Sequence, residues 1–147
     1  MGTIDFPRLI VRAGVAWSLA FFGCAANQAS PTPIQSKNCG TVSVIAQDAP
    51  TDRSALAVEQ CFQAAYRACE AGTTMTLEAH GTDVLSKSTF TLSGGSPCGI
   101  AGVTETTIVP NRHSTVSFSC NVLSEKNGGL LLTACGRAGD IFIPPPS

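Results

Sequence analysis

The sequence is short of charge, of aromatic rings and of histidine. Charged residues fill 13% of 147 positions and the formal net charge is −1. No basic stripe is present to release counterions from phosphates, so no nucleic-acid partner is expected. A polybasic patch for an anionic membrane surface is missing as well. Aromatic residues make up 6%, and the single tryptophan, Trp17, falls in the amino-terminal apolar run. Beyond it stand Tyr66, Phe62, Phe90, Phe118 and Phe142, too few for a stacking platform on which sugars or bases could lie. With only His80 and His113, a histidine-based catalytic constellation has few ways to form. No apolar run reaches the roughly 20 residues of a spanning helix. The length suits one domain and not two.

What is present begins with a leader-like segment. Arg8 and Arg12 precede the uncharged run Ala13 to Gly23, and the chain turns polar directly after Cys24. A short apolar core behind basic residues reads as an export signal over 1–23. The junction Phe21-Phe22-Gly23-Cys24 resembles the lipobox of bacterial lipoprotein precursors, with Gly23 and Cys24 matching and Phe21 standing where the family prefers leucine. That resemblance implies that Cys24 is acylated as the new amino terminus, giving a membrane partner through a lipid anchor on the extracytoplasmic side. The alternative is an ordinary secretory signal cut after Ala25 or Ala26, releasing a secreted protein. Residues 24–37, rich in Ala, Ser, Pro and Gln, read as a flexible tether, and 38–147 as the folded domain.

Setting Cys24 aside leaves Cys39, Cys61, Cys69, Cys98, Cys120 and Cys135, an even number suited to a disulfide framework in an exported chain. No C-x-x-C or similarly close pair is present, so neither structural zinc nor a thioredoxin-like motif is expected, and no metal or other cofactor is assigned. In a helix, Cys61 and Cys69 would lie about 12 Å apart, too far to bridge. A hairpin centred on Asn127-Gly128 places Cys120 opposite Cys135. If the first strand runs antiparallel to the helix, its start lies near the level of Cys69. The expected bridges are therefore 39–69, 61–98 and 120–135.

Thr41 to Ala46 is a β-branched run suited to a buried strand, ended by Gln47-Asp48-Ala49-Pro50. From Asp52 to Ala71, Val58, Cys61, Phe62, Ala65, Tyr66 and Cys69 recur at helical spacing, with Arg53, Glu59, Gln60, Gln63, Arg67 and Glu70 assigned to the polar face. Thr51 or Asp52 can cap this helix and Gly72 can stop it. Strand patterns follow over 73–80, 84–92, 100–109, 114–123, 130–134 and 140–143. The expected class is α+β: one amphipathic helix on an antiparallel sheet of about five to six strands, β-α-β-β-β-β, with three disulfides. This order is similar to cystatin-like or monellin-like architecture, an analogy of elements alone.

Candidate chemistry is sparse. Glu78 and His80 would share one strand face, with Asp83 just past the turn, the makings of a small secreted hydrolase or metal-assisted site. A solvated strand face accounts for them more simply. Gly94-Gly95-Ser96-Pro97 lacks the second glycine of a nucleophile elbow, and proline follows the serine. Asp48, Asp52 and Asp140 lack the alternate-position spacing of a calcium loop, and Arg137 can pair with Asp140 in its turn. With no convincing catalytic set, the expectation is a noncatalytic binding or interaction domain whose partner is a protein or a small ligand. A small enzyme and an extracellular protease inhibitor, the latter suggested by element order, are the alternatives.

Overall fold

A computed structural model describes residues 36–45, 50, 52–110 and 112–146. The segment expected to be an export signal, Cys24, residues 25–35 of the expected tether, Gln47-Asp48-Ala49 and the candidate cap Thr51 lie outside the described residues. The elements are β1 (Asn38–Ile45), α1 (Ser54–Ala68), β2 (Thr74–His80), β3 (Val84–Ser93), β4 (Gly99–Ile108), β5 (Arg112–Cys120), β6 (Val122–Lys126), β7 (Gly129–Thr133) and β8 (Ile141–Ile143). A single 3₁₀ turn at Gly136–Ala138 precedes β8.

The class is α+β, with one helix and three disulfides, and the strands divide between two sheets. Strands β1 to β5 form one sheet in sequence order, and β6, β7 and β8 form a second. Two details differ from a single antiparallel sheet. First, β1 pairs parallel with β2, because α1 carries the chain back to the end from which β1 started. Second, the long strand pattern after Pro110 breaks at Asn121, whose N–H donates to the Thr133 carbonyl, so the chain leaves β4 and pairs with β7. The Asn127-Gly128 hairpin fixes the register of that second sheet, with Val122 opposite Thr133 and Lys126 opposite Gly129.

Alternation along the strands builds the core. Val42, Val44, Met75, Phe90, Leu92 and Ile100 from the first sheet meet Ala55, Val58, Phe62 and Ala65 of α1 and Leu123, Leu130, Leu132 and Ile143 of the second. Each of the larger side chains contributes about 1.5–3 kcal/mol on burial and each alanine methyl about 0.8 kcal/mol. In mid-sheet, Gly102 lies between Phe90 and Phe118 on the neighbouring strands, whose rings meet edge to face at 6.3 Å. A Cβ at Gly102 would run into the Phe118 ring. Gly102→Val is therefore expected to cost about 1–3 kcal/mol, measured as a lower urea midpoint. An unchanged midpoint would show that Phe118 moves aside freely.

Arg53 stands at the N-cap of helix α1 and makes no side-chain cap bond, while Asp52, one residue earlier, accepts from the Ser54 N–H at 2.9 Å and from its hydroxyl at 2.6 Å. These bonds hold the Asp52 carboxyl below its usual range. The helix ends earlier than Gly72, at Ala68, with Cys69 taking the left-handed conformation and its N–H reaching the Tyr66 carbonyl.

The bridges are Cys39–Cys61, Cys69–Cys98 and Cys120–Cys135. The last follows from the hairpin register; the expected 39–69 and 61–98 pairs are replaced. A Cβ at Gly40 would stand 3.0 Å from Val58 Cγ2, so the second turn of α1 packs on the start of β1. Cys61 is thereby level with Cys39, and Cys69 projects beyond β1 to the β3–β4 connection that carries Cys98. Helix α1 thus begins part-way along β1 and not at the strand's far end, which brings Cys61 in place of Cys69 to Cys39. Non-reducing peptide mapping is expected to return the 39–61 and 69–98 linkages, and recovery of 39–69 would contradict this packing.

Candidate functional site

The two sheets leave a cleft between them where β2 faces β8. One wall is Val44 of β1 with Leu77 and Ala79 of β2; the other is Ile141 and Phe142 of β8, closed by Asp140 and Pro144. Its volume is about 430 Å³, within the range of small-ligand pockets. Alternation sets the first wall, because Val42 and Val44 lie beside Leu77 and Ala79 in the parallel register and all point toward the core. Phe142 stands 41% exposed at the mouth. The carboxylate of Asp140 accepts from the Ala134 N–H at 2.9 Å and so ties the turn before β8 to the end of β7. Asp140 thus serves the loop and makes no ion pair with Arg137 among the described residues. The cleft offers apolar side chains with polar surface between them, and its one carboxylate, Asp140, is already engaged.

Glu78 and His80 share the solvent face of β2, with Glu78 Oε2 4.0 Å from His80 Nε2 and Glu78 Oε1 3.8 Å from Lys87 Nζ across the β2–β3 pairing. Asp83 does not join them: among the described residues no three His, Cys, Asp or Glu side chains gather as a metal-binding group. The result is an exposed cross-strand ion pair flanked by a histidine, worth about 0–1 kcal/mol. His113 is likewise exposed, its Nδ1 3.0 Å from the Thr107 hydroxyl. Ser96 is exposed in the β3–β4 connection. All six cysteines beyond Cys24 are bridged, so none of them offers a thiolate.

The structure corrects the placement of Glu59. The sequence reading puts it on the polar face of α1, yet its side chain is 3% exposed and its Oε1 has no hydrogen-bond partner. Burial pushes its carboxyl up to about 7. The signal was in the spacing: Ala55, Val58, Glu59, Phe62 and Ala65 follow the i, i+3, i+4 rule, and Glu59 sits inside that arc. It lines a second, smaller cavity of about 160 Å³ between α1 and the β6–β7 hairpin.

Three disulfides in a domain of this size mark an oxidising, extracytoplasmic compartment. Compared with protein-family models, with curated proteins and with solved structures, the chain matches none.

Proposed function

We propose that the protein is an exported, noncatalytic binding domain, held to the membrane through a lipid on Cys24, that takes an apolar group of a small ligand or protein partner into the cleft between its sheets. The observation that carries this reading is the cleft itself, walled by apolar side chains of β1, β2 and β8, with β1 tied to α1 by the Cys39–Cys61 bridge. Binding in a pre-formed apolar cleft requires area and shape and no reactive group. Glu78 and His80 lie on the outer sheet face, so they lend the cleft no acid or base.

The test uses the full chain and a naphthalene sulfonate dye whose emission rises on leaving water. Saturable enhancement is expected, with Phe142→Asp weakening it at least tenfold while the circular dichroism spectrum stays native. Enhancement untouched by both Phe142→Asp and Leu77→Asp would remove the cleft as the site. Saturable turnover of a hydrolase substrate, lost on His80→Ala, would overturn the noncatalytic reading. Inhibition of an extracellular protease at micromolar protein would favour the inhibitor alternative.

A further inference from the structure

A buried carboxyl with an unpartnered oxygen calls for a donor, and the walls around Glu59 supply none that reaches it. The cavity is bounded by Leu56, Glu59, Gln60 and Gln63 of α1 and by Glu125, Gly128, Gly129 and Leu130 of the β6–β7 hairpin. No lysine, arginine or histidine is among these residues. One N–H of the Gln63 amide donates to Glu125, its Nε2 lying 3.3 Å from Glu125 Oε2, and the Gln63 side-chain oxygen is left as an acceptor. The cavity therefore presents an acceptor floor at Glu59, a second carboxylate at the exposed rim, and aliphatic sides from Leu56 and Leu130.

We propose that this cavity binds a primary ammonium group carried on a short aliphatic stem, with Glu59 as its buried counter-ion and Glu125 and the Gln63 carbonyl oxygen as further acceptors. An ammonium has three N–H donors and no acceptor, which matches a wall rich in oxygens. The leucines suit methylenes, as in the way lysine stems lie along apolar surface. A hard divalent cation fits less well, because calcium takes 6–8 oxygen ligands and half of this lining is leucine and glycine. The cavity volume of about 160 Å³ admits a butylammonium-sized group. Entry of the cation stabilises the ionised carboxylate, so binding releases the proton that Glu59 otherwise holds near neutrality. The site is separate from the cleft between the sheets and stands or falls independently of it.

The experiment is isothermal titration of the full chain with n-butylammonium, with an acetylated and amidated lysine, and with calcium chloride, at pH 6 and pH 8 in two buffers of different ionisation enthalpy. Saturable ammonium binding is expected, tighter at pH 8, with proton release at pH 6 and at least tenfold loss in Glu59→Gln. Glu125→Gln should weaken it less. If blocked lysine binds as well as butylammonium, the natural source is a protein lysine; if butylammonium alone binds, it is a free amine. Either result supports the site. Saturation by calcium alone, no saturation by any amine up to about 50 mM, or binding unchanged in a folded Glu59→Gln would overturn it.

Discussion

Reduction of the three disulfides is expected to unfold the domain at about 37 °C. The bridges close loops with sequence separations of 22, 29 and 15 residues. A loop of 15 residues contributes about 3 kcal/mol and longer loops somewhat more, while a whole domain is stable by only about 5–15 kcal/mol. Their placement adds to the effect. Cys39–Cys61 ties α1 to the edge strand β1, Cys69–Cys98 ties the helix end to the β3–β4 connection, and Cys120–Cys135 closes the point where the chain changes sheets. Thermal melts followed by circular dichroism, with and without a phosphine reductant, measure it. The oxidised protein should show one cooperative transition and the reduced protein none above about 37 °C. A reduced midpoint within about 5 °C of the oxidised one would mean that the core suffices alone.

The second large effect is a pH dependence that resides in one residue. Folded Glu59 holds its proton up to about pH 7, while the ordinary value is 4.5. Between those values the folded state carries one more proton than the unfolded chain, so stability falls as pH rises through this window. The contribution is fully present below the lower value and is lost above the upper one. A shift of this size corresponds to on the order of 3 kcal/mol. Glu59→Met keeps the volume and removes the titration. The difference in unfolding free energy between variant and wild type, measured in urea at pH 4.5 and pH 8 without added amine, should grow by about that amount in favour of the variant. A difference that stays flat with pH would place the Glu59 carboxylate in water.

Much of the fold is legible in the sequence because local chemistry dictates it. Alternating β-branched runs become the strands, Asn127-Gly128 sets a hairpin register, and that register by itself places Cys120 opposite Cys135. What escapes is tertiary. The axial level of α1 against β1 depends on Gly40 admitting Val58, a contact with no local signature, and the other two bridges turn on it. The sheet change at Asn121 is hidden for a similar reason, since the strand pattern continues across it. The cleft is hidden too, because it is made by strands far apart in sequence that meet only after both sheets form. Spacing places Glu59 in the buried arc while residue type assigns it to solvent, since a carboxylate is almost never fully buried without a partner. That conflict between local chemistry and position is what singles it out as a site.

Intact mass spectrometry of the protein extracted from its native membrane, alkylated without prior reduction, tests the account most directly. The expected result is a chain that begins at Cys24, carries the mass of two or three acyl groups, and takes up no alkylating agent. An unlipidated chain with one or more alkylated cysteines would contradict it, removing both the anchor and the closed disulfide frame on which the binding reading rests.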